Sequence, residues 1–262
     1  MQMRLIEDGA AIAAPVLRLT ELCKNFGERQ ILKNIKLEVI GGSAVALIGA
    51  NGAGKSTLLR SLVRLVEPTS GKIELLGKDV TALAERDLVR LRSRVGVVFQ
   101  KHNLVSRLSA LTNVLHGVQS RSNGPQSWLQ CLASRSDRDE AMRCLAAVGM
   151  QNVALQRVDS LSGGQSQRVA IARMLMQRPE MVLADEPDAS LDPQSGEEIM
   201  NLLYKLTKEK KLTLIVSSHR LEHTQHFSDR IIGLADGRIT LDQPSATSSS
   251  KNLRSFFIDR AA

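Results

Sequence analysis

Gly49-Ala50-Asn51-Gly52-Ala53-Gly54-Lys55-Ser56-Thr57 decides the fold of this chain. The stretch follows the apolar run Ala44–Ile48 and leads into Leu58-Leu59-Arg60-Ser61-Leu62, which reads as helix. It is G-x-x-x-x-G-K-[ST] between a strand and a helix, the context in which that pattern binds phosphate. Glycines let the backbone curl until successive N–H groups point inward. The loop ends at a helix N-terminus, where unpaired N–H groups and the helix dipole favour an anion. Lys55 is expected to reach the β- and γ-phosphates of a nucleotide, and Ser56 to ligate Mg²⁺. The motif leaves open which nucleotide is bound and what its hydrolysis drives.

The 262 residues suffice for one large α/β domain or two small ones. A hydrophobic content of 43% with 24% charged residues is ordinary for a globular chain. No stretch approaches the ~18 consecutive apolar residues of a membrane-spanning helix. Residues 1–15 carry Glu7 and Asp8 and lack the charged-then-apolar order of a secretory signal, so a cytosolic location is expected. The net charge of +8 fits nucleic acid, an anionic membrane surface or simple solubility. Against nucleic acid stand the lack of a Lys/Arg run and a supply of only five Phe, one Tyr and one Trp for base stacking. The densest basic stretch, Arg86–Arg94, reads as a helix with a solvated cationic face. Cys23, Cys131 and Cys144 are odd in number and lack metal-like spacing, which points to a reduced compartment without structural zinc.

Along the chain, strands are expected at Val16–Leu22 and Ile31–Val39 around a turn at Phe26-Gly27-Glu28-Arg29. They form an antiparallel layer ahead of the strand that feeds the phosphate loop. Phe26 is either a core or edge aromatic or a platform on which an adenine base stacks. After the loop helix come a turn at Glu67–Gly71, a strand at Lys72–Leu76 and a turn at Gly77–Val80. A helix at Leu83–Arg92 and a buried strand at Val95–Phe99 follow, the strand ending at Gln100. From about 101 to 160 apolar residues recur at helical spacing, which predicts a helical subdomain inserted into the α/β core. It holds a loop at Ser120–Pro125 and a helix at Asp137–Val148 with Gly149 as its C-cap. Leu161-Ser162-Gly163-Gly164-Gln165 opens a helix over Ser166–Gln177, and Met181–Asp185 is an apolar strand ending in acid. A helix at Ser195–Lys208, a strand at Leu212–Val216 running into Ser217-Ser218-His219, and a hairpin of Ile231–Leu234 with Arg238–Leu241 complete the domain. The expected organisation is an N-terminal extension at 1–15, a domain at 16–242 and a Ser-rich tail at 243–262 with a short helix at Leu253–Arg260.

Four further features follow the loop in fixed order: Gln100, Leu161–Gln165, Asp185-Glu186 and His219. A carboxylate where a strand meets the phosphate loop, as at Asp185, holds Mg²⁺ directly or through water. Glu186 is the next residue and points elsewhere, which suits a general base for the attacking water. The side-chain amide of Gln100 can touch both metal and water. Ser162-Gly163-Gly164-Gln165 is again Gly-rich backbone at a helix N-terminus, and so a second anion site. In this order, across roughly Val16–Asp242, the chain resembles the ATP-binding subunits of ABC transporters. The resemblance implies an α/β P-loop NTPase core with an antiparallel β layer and an inserted helical subdomain, taking ATP and Mg²⁺. It implies that His219 is a switch histidine bonded to the γ-phosphate. It also implies a head-to-tail homodimer, with ATP between the loop of one chain and Ser162–Gln165 of the other and Asp192 along the seam.

Narrower stretches are Phe99–Ser109, Leu111–Gly117, the insert Val118–Ser136 and Ala184–Pro193. Together they are similar to the ATPases of phosphonate importers, a group that includes phosphite and hypophosphite importers. That similarity implies a peripheral subunit on the cytoplasmic face of the inner membrane. Its partners would be transmembrane permease subunits, which dock a coupling helix near the stretch after Gln100, and indirectly a periplasmic solute-binding protein. The chain departs from the group in the Ala-rich phosphate loop, in residues 121–135 and in the tail. Three other readings compete. An exporter ATPase of lipoprotein or macrolide type usually lacks an insert like Val118–Ser136. A soluble ABC protein acting on ribosomes or DNA usually carries two cassettes or a long coiled coil. A P-loop kinase or GTPase is opposed by Leu161–Gln165 and by the lack of an Asn-Lys-x-Asp motif.

Overall fold

Alternate residues of the central strands face two different cores. The structure is a computed structural model that describes residues 14–100, 103–121, 133–219 and 221–248. Its main sheet has six strands: β3 (Ala44–Ile48), β6 (Val95–Phe99), β7 (Met181–Asp185), β8 (Thr213–Ser218), β9 (Arg230–Ala235) and β10 (Arg238–Pro244). They run in the order β10-β9-β3-β8-β7-β6, parallel except for the β9–β10 hairpin. Every residue of β3, β7 and β8 is buried, as befits parallel strands covered on both faces. Because side chains alternate along a strand, Met181 and Leu183 join one core while Val182 and Ala184 join the other.

The first core lies under a four-stranded antiparallel sheet of β1 (Pro15–Phe26), β2 (Arg29–Ile40), β4 (Ser70–Leu75) and β5 (Lys78–Asp79), ordered β2-β1-β4-β5. Leu17, Leu19, Leu22, Leu32, Ile35 and Val39 face inward from this layer. They meet Leu58, Leu59 and Leu62 of α1 (Lys55–Leu62) and Leu88 and Leu91 of α2 (Glu85–Arg92). Full burial of one such leucine is worth about 1.5–3 kcal/mol. β1 runs on to Phe26, beyond the expected Leu22, because a bulge at Glu21 (φ 51) resets the alternation. The expected turn at Gly77–Val80 holds the two-residue strand β5.

The second core is covered by helices. α3 (Ala110–Leu115), α4 (Arg135–Ala147) and α5 (Gly163–Met176) contribute Val114, Leu145, Val169 and Ile171, and α6 (Pro193–Lys210) contributes Ile199 and Leu203. α5 packs against both α3 and α4, so the helical layer reaches Met176 rather than stopping near Ser160. Arg178, just past α5, grips Glu140 of α4 with a two-pronged contact of 2.7 and 2.8 Å. α4 starts at Arg135 because Ser134 Oγ accepts from the Asp137 N–H. A short helix α7 (Leu221–His226) follows β8. The extension at 1–13, the loop from Ser122, Cys131 and the tail helix at Leu253–Arg260 lie outside the described residues.

Candidate nucleotide site

β3, β8, β7 and β6 are neighbours and parallel, so their C-terminal ends lie side by side. The phosphate loop leaves β3, His219 follows β8, Glu186 follows β7 and Gln100 follows β6. A crevice at the carboxyl ends of parallel strands is where such sheets bind ligands.

The loop needs its glycines for closeness and for handedness. A Cβ on Gly49 would sit 2.3 Å from the Leu234 carbonyl oxygen of β9. Gly54, with φ 105, turns the chain into α1 without any side-chain cap. The first N–H groups of α1 are therefore left open toward the crevice. Lys55 is 4% exposed, and its Nζ donates to the carbonyls of Gly49 (2.8 Å) and Ala50 (3.2 Å). The same Nζ lies 3.3 Å from Glu186 Oε1.

The two acids at the end of β7 are kept apart. Asp185 Oδ1 accepts from Ser56 Oγ (2.8 Å) and from Ser217 Oγ (3.0 Å). Ser217 Oγ also accepts from the Glu186 N–H at 2.9 Å. Glu186 has a positive φ of 46, and its side chain meets Lys55 rather than the Ser56 side of the crevice. His219 Nδ1 stands 3.9 Å from Glu186 Oε2 and is 40% exposed. Arg60, one turn after Ser56, brings Nη2 to 3.7 Å from Asp185 Oδ2. Gln100 is exposed and makes no hydrogen bond among the described residues.

Ser56 and Asp185 offer a hydroxyl and a carboxylate in contact. Such hard oxygen donors fit Mg²⁺, which takes few protein ligands and completes its shell with water and phosphate oxygens. A cavity of about 400 Å³ opens over this group, lined among others by Phe26, Arg29, Asn51, Gly52, Thr57 and Glu186. Phe26 is 53% exposed, which rules out a core role, and Lys24 Nζ lies 4.6 Å from its ring centroid.

Ser162, Gly163, Gly164, Gln165 and Asp192 do not line that cavity. Ser162 caps α5: its Oγ accepts from the Gln165 N–H (3.2 Å) while Gln165 Oε1 accepts from the Ser162 N–H (2.9 Å). Asp192 caps α6 by accepting from the Ser195 N–H at 3.0 Å, with Pro193 in the first turn. Bonding to Ser195 holds the Asp192 carboxyl below the usual carboxylate range. Sequence reasoning passed over Ser217, Arg60 and Arg29. The signal for Ser217 was a hydroxyl closing an otherwise apolar strand.

The chain belongs to the ABC transporter family, whose pattern matches residues 32–189. Among curated proteins it is similar to "Phosphonates import ATP-binding protein PhnC 2" of Synechococcus sp., 46% identical over 230 residues covering 87% of this chain and 85% of that protein. It is likewise similar to "Phosphonates import ATP-binding protein PhnC 1" of Ruegeria sp., 44% identical over 235 residues covering 88% and 90%. Among solved structures, the cassette MJ0796 in a dimeric post-hydrolysis state with ADP and Pi superposes with a TM-score of 0.76 at 34% identity, covering 87% of this chain and 98% of that one. The cbiO1 subunit of a Clostridium perfringens ABC transporter complex gives a TM-score of 0.79 at 28% identity over 94% and 97%.

Proposed function

We propose that this chain is the ATP-hydrolysing subunit of an importer for phosphonates or a related reduced phosphorus oxyanion such as phosphite or hypophosphite. The observation that carries the solute class is the identity with phosphonate import ATP-binding proteins along most of both chains. The chain itself does not meet the solute. It works on the cytoplasmic face of the inner membrane beside transmembrane permease subunits and, through them, a periplasmic binding protein. No helix among the described residues is long and apolar enough to cross a membrane.

The site residues divide the work. The loop N–H groups and Lys55 hold the phosphates, and Phe26 stacks the base. Lys55 lies 3.3 Å from Glu186, and phosphate oxygens would compete with that carboxylate for it. Glu186 is then free to take a proton from water, with His219 beside it to orient that water and to bond the γ-phosphate. Ser56, Asp185 and Gln100 would hold Mg²⁺, and the ion would neutralise phosphate charge. Ser162, Gly163, Gly164 and Gln165 of a second copy close over the γ-phosphate, with Asp192 at the seam, so the working unit is a homodimer.

Deleting the gene in its own host tests the solute. Growth on a phosphonate, phosphite or hypophosphite as sole phosphorus source should stop while growth on phosphate continues. Restoration by the wild-type gene but not by the Glu186→Gln gene ties transport to hydrolysis. Unchanged growth on all three reduced sources would overturn the importer assignment.

A further inference from the structure

We infer that Arg29 is a second cation for the phosphate chain of the nucleotide, in the same cavity lining as Lys55; this rests on the nucleotide reading of the crevice. Arg29 opens β2 and pairs with Phe26 across the two-residue turn Gly27-Glu28. Directly opposed residues of an antiparallel pair put their side chains on the same face. Phe26 and Arg29 accordingly stand together on the rim of the 400 Å³ cavity, facing Asn51 and Gly52 of the loop. Arg29 also lines a second cavity of about 450 Å³, which shares Asn51 and Gly52 with the first.

The charges make the case. Lys55 is buried at one end of the cavity and already holds Glu186 and two carbonyls. Arg29 is exposed and makes no ion pair or side-chain hydrogen bond among the described residues. A solvated arginine is ordinary on a surface, but this one stands on the rim of a crevice built for polyanions. Among the described residues Glu186 is the only carboxylate lining that cavity, and it is taken by Lys55. A planar guanidinium is the group best matched to phosphate oxygens. The hairpin then grips the ligand at two points: Phe26 takes the base, and Arg29 takes the phosphates from the base side. Lys24 over the Phe26 ring adds a further positive charge to the same edge.

Calorimetric titration of the full chain with MgADP, a non-hydrolysable MgATP analogue and inorganic tripolyphosphate tests this. Arg29→Ala should weaken all three by about 1.5- to fivefold, the range of an exposed ion pair. Arg29→Glu should weaken them further, and Arg29→Lys should fall between wild type and Arg29→Ala. The loss should shrink as salt rises, since the pair is solvated. Lys55→Ala serves as the reference. If it loses binding while Arg29→Ala and Arg29→Glu match wild type, the role of Arg29 is overturned and the nucleotide site stands. An Arg29→Glu variant no weaker than Arg29→Ala would assign the effect to packing and overturn it too. Unchanged binding in Lys55→Ala would overturn the nucleotide reading itself, and this inference with it.

Discussion

Two helices of this chain begin at glycine-rich turns, and they begin differently. α1 starts from the left-handed Gly54 with no side chain closing its first turn. α5 starts from Ser162 with a complete reciprocal cap from Gln165. Around α1 stand Glu186, within 4 Å of both Lys55 and His219, and Asp185, bonded to Ser56. Nothing comparable surrounds the start of α5, which is exposed at Ser162 and Gly163. Both ends offer N–H groups to an anion. The first is left open and equipped with acids and a cation; the second is finished by its own side chains. An open, equipped end suits chemistry. A finished, bare end suits contact with a ligand already held elsewhere, and so points to a second copy of the chain.

That contrast can be broken most sharply at Glu186. Glu186→Gln should lower hydrolysis by about 10²- to 10⁴-fold, the range for a lost general base. ATP binding should survive, with an ATP-dependent dimer accumulating in size-exclusion chromatography; a hydrolytically active variant would end the role. Lys55→Ala should weaken nucleotide binding by about 30-fold or more, as for a buried charge pair losing one member. Calorimetry that found wild-type affinity would remove the equipped character of α1. Phe26→Ala asks whether the loop side reads a base as well as phosphates. It should cost about 1–3 kcal/mol in ATP affinity and leave tripolyphosphate unchanged; equal losses for both would deny the stacking.

Ser162→Ala addresses the other helix. It should lower stability by about 1 kcal/mol through the lost cap and spare monomer nucleotide binding. It should also reduce the dimer formed by Glu186→Gln. A double variant that still dimerises fully would leave Ser162 as a cap alone. The smallest effect concerns the helical layer that carries α5. The Glu140 carboxyl is held below its usual range, chiefly by bonding to Arg178. A lowered folded pKa gives stability that is present above the unfolded value near 4.3 and lost as pH falls through the folded one. Thermal melts should therefore show a weaker acid dependence below about pH 4.5 in Glu140→Gln, and an unchanged slope would contradict that pairing.

The sequence made the phosphate loop, the three buried parallel strands and the order of the polar residues at their ends legible. Each rests on local chemistry: glycines and a lysine in fixed spacing, or apolar runs of strand length. Other features depend on contacts between distant residues. The left-handed turn at Glu186 is invisible in Asp185-Glu186-Pro187, yet it sends the two acids in different directions. The bulge at Glu21 cuts the alternation of β1 and made a 12-residue strand look short. α5 joins the helical layer because its apolar face meets α3 and α4, which no spacing within α5 announces. The resemblance makes Asp192 a seam residue and says nothing of a cap; the bond from the Ser195 N–H, three residues on, gives it that second task.

Ser217 deserves a mechanical description. Its hydroxyl donates to Asp185 and accepts from the backbone of Glu186, using one proton and one lone pair at once. It sits in β8, two residues before His219. The Asp185 carboxylate, the backbone of Glu186 and the strand that leads to His219 are thus bolted together by one oxygen atom. Loss of that hydroxyl would remove both ties between β7 and β8 at the crevice in a single substitution.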